Sequence, residues 1–149
     1  MKNKQKKVPS SEAGFTLTEI MVVVLIIGLL STVVLVNVLG ARTDAQTKTA
    51  QANVSALSQS LERYSLQLYT YPTQDQGLEA LVEAPSDLSD NVLYPRGGFI
   101  QKLPDDPWGR PYQYVIPAER SRGAYDVFSF GADGAVGGED ENADIGNWN

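Results

Sequence analysis

The chain predicts an α+β fold: a long N-terminal α-helix, half suited to a membrane and half amphipathic, packed on a small antiparallel β-sheet and followed by an acidic C-terminal loop. Three observations predict it. Ile20 to Leu39 is an uncharged apolar run of about the twenty residues needed to cross a bilayer core. Val54, Leu57, Leu61, Tyr64, Leu68 and Tyr71 recur at alternating spacings of three and four, which lines one helix face. Tyr112 to Ile116 and Tyr125 to Phe130 are aromatic and β-branched runs suited to short strands.

Composition narrows the chemistry. At 149 residues the chain has room for one modest domain beside a membrane segment. It has no cysteine and no histidine, which removes disulfides, Cys–His and Ser–His catalysis, and His-ligated zinc. The net charge of −6 is unevenly spread: Lys2, Lys4, Lys6 and Lys7 make the first fourteen residues basic, and from Asp133 onward there is no Lys or Arg. An acidic body without a basic stripe argues against nucleic-acid binding.

The N-terminal element is unusual in its order. A secretory signal places its apolar region before the cleavage site. Here a basic leader, residues 1–14, ends in Gly14, and the apolar helix begins just beyond it with Phe15. The leading lysines put the N-terminus in the cytoplasm and the acidic domain outside. This arrangement resembles the class III signal of type IV pilins and pseudopilins. The resemblance implies that a prepilin peptidase cuts between Gly14 and Phe15 and that Phe15 is then N-methylated. Glu19 is a carboxylate at the start of a membrane helix, where insertion costs about 2.5–3.5 kcal/mol. Either it is solvated at the interface, or a neighbouring subunit's Phe15 ammonium neutralises it on assembly. The second reading matches the role that pilins give their fifth mature residue.

Beyond Gly40 the amphipathic stripe takes over, with Gln51, Ser58, Gln59, Glu62, Arg63 and Gln67 on the polar faces and Pro72 as the stop. A continuous helix from Phe15 to Tyr71 would span about 85 Å. Gly28, Ser31, Thr32, Asn37 and Gly40 are its weak helix formers. Thr73 is a candidate N-cap for a short helix over the following residues. Asp105 to Pro111 is turn chemistry leading into a strand, with Trp108 expected as a local plug.

Together the junction GFTLTE, the stem, YPTQDQGLEALV, LPDDPWGRPYQY, DVFSFGADG and DIGNW resemble, in order, the major pseudopilins (core protein G) of type II secretion systems. The resemblance covers essentially the whole chain after residue 13. It implies a type IV pilin-like fold, with residues 15–40 as transmembrane and polymerisation helix and residues 41–149 as periplasmic domain. It further implies a non-enzymatic subunit, anchored once in the inner membrane, that polymerises into a periplasmic pseudopilus and drives export of folded proteins through an outer-membrane secretin. Partners would be other copies of the chain, minor pseudopilins, an inner-membrane assembly platform and the prepilin peptidase. Two departures stand out: Val36 where the family commonly has proline, and Thr18 where it often has leucine.

The stretch from Phe130 to Ile145 gathers acids and glycines. It reads as a solvated acidic turn or as an oxygen-rich cation site, for which Ca²⁺ is the suitable ion. It is not an EF-hand, since Ala135 and Gly137 stand where ligands belong. The resemblance implies structural calcium, held by Asp133 and Asp144, by the Phe130 carbonyl and more weakly by that of Ala135, with Glu139, Asp140 and Asn142 as further candidates. Two rivals follow. One is a type IV pilin for adhesion or motility, which a disulfide-closed C-terminal loop would have favoured. The other is a membrane-tethered enzyme or calcium-dependent binding module that never polymerises. Asp105, Asp106 and the C-terminal acids could supply a carboxylate pair for hydrolysis, but the proline-flanked setting of Asp105 and Asp106 suits turns instead.

Overall fold

The computed structural model describes residues 14–88 and 93–148, with residues 32–41 described by their backbone alone. The chain forms two compact units, Met1–Gly40 and Ala41–Asn149, and helix α1, Leu17–Leu68, contributes to both. The helix opens on Thr16. The Glu19 N–H donates to the Thr16 carbonyl at 3.1 Å and to its Oγ1 at 3.2 Å, so Thr16 is the N-cap and satisfies a donor that the helix itself cannot.

In the first unit every described residue from Phe15 to Ser31 is exposed. Among the described residues no helix is long and apolar enough to cross a membrane. The expected span, residues 20–39, runs past Ser31 into residues whose side chains lie outside the described set, as do those of Thr32, Val36, Asn37 and Gly40. The leader before Gly14 lies outside it too.

In the second unit the stripe is the core. Ala50, Val54, Leu57, Leu61, Tyr64 and Leu68 are buried, at the spacing that turns one helix face inward. The helix ends at Leu68, three residues short of the expected Tyr71. Tyr69 takes a left-handed φ of 60° and its N–H caps the Ser65 carbonyl at 2.8 Å. The stop is therefore an αL cap, and Pro72 lies beyond it. Tyr71 leaves the helix yet still packs against the core. Thr73 and Gln76 form a reciprocal capping box, Gln76 N–H to Thr73 Oγ1 at 3.3 Å and Thr73 N–H to Gln76 Oε1 at 2.9 Å. It closes a turn, and a 3₁₀ helix, Leu78–Leu81, follows.

The sheet is antiparallel and three-stranded, in the order β1 (Gln113–Val115), β2 (Asp126–Ser129), β3 (Ile145–Gly146). Tyr114 pairs with Val127 and Phe128 with Gly146. Strand β1 is shorter than its apolar run because the Ile116 N–H turns to Gln74 Oε1 at 2.9 Å. Between helix and sheet, Tyr64, Tyr114, Tyr125, Val127, Leu81 and Phe99 fill the core. Burial pushes the Tyr114 and Tyr125 hydroxyls well above their usual range, so they remain donors: Tyr114 to the Pro72 carbonyl at 2.9 Å and Tyr125 to that of Ser58 at 3.2 Å. Trp108 is only half-buried and lies outside the hydrophobic cluster. The stretch is held by a carboxylate rather than by an aromatic plug: Asp106 accepts from the N–H groups of Trp108 and Arg110 at 3.0 and 2.8 Å.

Candidate functional site

The residues singled out in the sequence lie at two places, one in each unit. At the junction, Gly14 and Phe15 are exposed, Phe15 by 78 %. Glu19 is exposed in the first turn of α1, where the helix macrodipole favours a carboxylate. The aliphatic side chains that follow it, Ile20 to Leu30, are exposed on all faces. A surface of that kind needs lipid or other chains around it.

The second place is the C-terminal loop, which two arginines bracket. Arg110 Nη2 donates to the Gly131 carbonyl and, at 3.0 Å, to that of Ala132. Arg110 is itself held 3.7 Å from Asp106, which Ser129 Oγ also supplies with a hydrogen bond of 2.6 Å. Asp106 is thus spent on the turn. Gly134 is required where Arg110 crosses the loop: its φ is +70°, and an added Cβ would stand 1.8 Å from Nη1.

Arg120 holds the other side. It forms an ion pair with Asp144, and its guanidinium lies over the rings of Phe128 and Trp148, 5.2 and 5.0 Å from their centroids. Asp126 sets the turn that presents it. Fully buried at the start of β2, Asp126 accepts N–H bonds from Glu119, Arg120 and Ser121 at 2.7, 2.7 and 2.8 Å. Burial pushes its carboxyl up, but the donors of Ser121, Arg120 and Glu119 outweigh it and hold the group below the usual carboxylate range.

Of the residues expected to bind calcium, Asp144 is buried where β3 begins. Its Oδ2 accepts the Gly137 N–H at 2.9 Å, and its Oδ1 is buried without a hydrogen-bond partner. Asp133 is exposed, and its Oδ1 accepts the Ala135 N–H at 3.0 Å. Phe130 leads from β2 into the turn, its ring edge-on to Phe128 at 5.1 Å. Ala135, Glu139 and Asp140 are exposed, and Asn142 is half-buried at the end of a 3₁₀ turn, Asp140–Asn142. Thr43 on α1 donates to Glu141 Oε2 at 3.2 Å, tying the loop to the helix. Among the described residues, no three acidic side chains converge as a metal-holding group. The orphaned Asp144 oxygen in a loop rich in carbonyls nonetheless fits a hard, oxygen-seeking cation.

Sequence reasoning missed the roles of Arg110 and Arg120. Arg120 sits in the charged segment Glu119-Arg120-Ser121-Arg122, which reads as a solvated loop, and its partner is 24 positions away. Thr16 was readable as an N-cap from the Thr-x-x-Glu spacing that it makes with Glu19.

Residues 37–148 match the family described as type II secretion system (T2SS), protein G, and residues 9–35 match the prokaryotic N-terminal methylation motif. The chain is 49 % identical over 138 residues to the type II secretion system core protein G of Vibrio cholerae, covering 93 % of this chain and 92 % of that protein. It is 44 % identical over 137 residues to that of Pseudomonas aeruginosa (92 % and 95 %) and 46 % identical over 137 residues to that of Escherichia coli K12 (92 % and 91 %). The crystal structure of the major pseudopilin from the type 2 secretion system of enterohaemorrhagic Escherichia coli superposes with a TM-score of 0.62 at 38 % identity, over 75 % of this chain and 94 % of that one. Helix stripe, three-stranded sheet and N-terminal methylation motif thus occur together in one chain, which belongs to the type II secretion system protein G family, the major pseudopilins.

Proposed function

We propose that the mature chain, beginning at Phe15, is the major subunit of a periplasmic pseudopilus that drives export of folded proteins through an outer-membrane secretin. Residues 15–40 anchor it once in the inner membrane before assembly and pack against other copies afterwards, and residues 41–149 form its periplasmic head. Its role is structural rather than catalytic. Its partners are further copies of itself, minor pseudopilins, an inner-membrane platform and the prepilin peptidase that removes residues 1–14.

The observation that carries this reading is the junction: an all-round apolar helix face with a single carboxylate, Glu19, in its first turn. In a low-dielectric filament core an unpaired carboxylate is costly. The α-amino group created at Phe15 lies one helical turn from Glu19 along the chain, and a neighbour's is equally suited to pair with it. Glu19→Ala is expected to be inserted and cleaved normally but to lose the ladder of oligomers seen on cross-linking membranes. A normal ladder from that variant would refute the role of Glu19. Loss of the ladder with intact cleavage would support it.

We also propose that structural calcium binds the C-terminal loop. The Asp133 and Asp144 carboxylates and the Phe130 carbonyl are its suggested ligands, with Ala135, Glu139, Asp140 and Asn142 available to complete the shell. The ion would supply positive charge to a loop that no disulfide closes. The unpartnered Asp144 Oδ1 supports this reading.

A further inference from the structure

We infer that Arg120 is a built-in counter-cation of Asp144 and that a divalent cation at the C-terminal loop must bind against its charge. The inference rests on the calcium reading and specifies how this chain tunes the site. Asp144 is almost fully buried, with only 6 % of its side chain exposed, and its ion partner Arg120 is 35 % exposed. A buried carboxylate left unpaired is strongly destabilising, so the loop needs a positive charge whether or not a metal is present. Arg120 provides one from within the chain. It is a directed group: Asp126 fixes its backbone N–H at 2.7 Å, and Phe128 and Trp148 carry its guanidinium plane. Trp148 in turn lies directly over Gly146 of β3, where an added Cβ would meet the ring at 2.5 Å.

The pairing is one-sided, and that gives the inference its content. Arg120 and the Gly137 N–H both engage Oδ2, while Oδ1 stays buried and unpartnered. One oxygen is thus neutralised by the protein and the other is left for a hard cation. The cation then sits within a few ångströms of a guanidinium, and the two repel. Arg120 therefore stabilises the metal-free loop and weakens metal binding. A residue with a purely architectural role would do the opposite, since removing it would loosen the site.

The test is calcium titration by calorimetry on the full chain in detergent, alongside thermal melting with chelator. Arg120→Gln is expected to bind Ca²⁺ about tenfold more tightly than wild type, to melt lower with chelator, and to gain more in Tm from calcium. Arg120→Lys keeps the charge and is expected to bind within about twofold of wild type. If Arg120→Gln binds calcium equally or more weakly, the inference is overturned while the calcium reading stands. If wild type and both variants bind none, both are overturned. Should Arg120→Gln fail to fold without metal, Arg120→Lys decides: near-wild-type affinity supports the inference, and a large loss overturns it.

Discussion

Replacing Asp126 by asparagine tests whether one buried carboxylate organises the loop that carries Arg120. Asp126 is 1 % exposed and accepts three backbone N–H bonds, two on Oδ2 and one on Oδ1. Asparagine keeps the shape but offers one acceptor oxygen, and its amide N–H groups face the donors that the lost oxygen served. Hydrogen bonds to a charged group contribute about 1.5–3 kcal/mol each. Losing at least one and stranding its donor is expected to cost about 3 kcal/mol at neutral pH. For a domain of this size that lowers Tm by about 10–15 °C. The folded carboxyl lies below its ordinary value, so its contribution is fully present above the unfolded pKa of about 4 and is lost as pH falls through the lower folded value. The gap between wild type and variant should thus be flat from about pH 5 to 7 and narrow below about pH 4. Near-ultraviolet circular dichroism melts across that range measure both quantities. A variant that melts within about 1 °C of wild type at pH 7, or a gap that widens in acid, would refute the reasoning.

Three other perturbations separate backbone, cap and metal. Tyr69→Gly removes a side chain that is 92 % exposed from a left-handed cap position, and should raise stability by about 0.5–1 kcal/mol in urea titration; a lower midpoint would contradict the cap assignment. Gly98→Ala adds a Cβ at 2.5 and 2.6 Å from the Val82 and Leu81 carbonyl oxygens, at a φ of +73°. Because backbone cannot step aside, a loss of about 2–4 kcal/mol is expected in the same assay. Removing calcium with a chelator should lower Tm, since an ion at a hundredfold excess over Kd adds about 2.7 kcal/mol; an unchanged Tm would count against the metal site.

The parts of the fold that repeat were legible, and the parts that depend on one distant pairing were not. Val54, Leu57, Leu61, Tyr64 and Leu68 are buried as their spacing predicts, because a helix maps sequence period directly onto a face. Strands β1 and β2 lie inside the expected runs, trimmed where Gln74 takes a backbone donor. Strand β3 has only two residues, too few for any period to register. The helix stop was misplaced because proline is a conspicuous breaker, while a tyrosine in the left-handed region has no sequence signature. At the loop, Asp144 stood out as one acid among several in a glycine-rich stretch. Its existing partner did not stand out, since the pairing with Arg120 is made only by the meeting of β2, β3 and the turn at Asp126.

The bond between Thr43 and Glu141 joins positions 98 apart, and β3 closes a sheet whose first strand lies some thirty residues upstream. Contacts of such sequence separation form late, because the intervening chain must first be ordered. The sheet and its tie to the helix are therefore complete only when the chain from 43 to 146 is all in place. A chain cut before Ile145 would leave β2 with an open edge, its backbone groups at Phe128 and Ser129 free to pair with another strand.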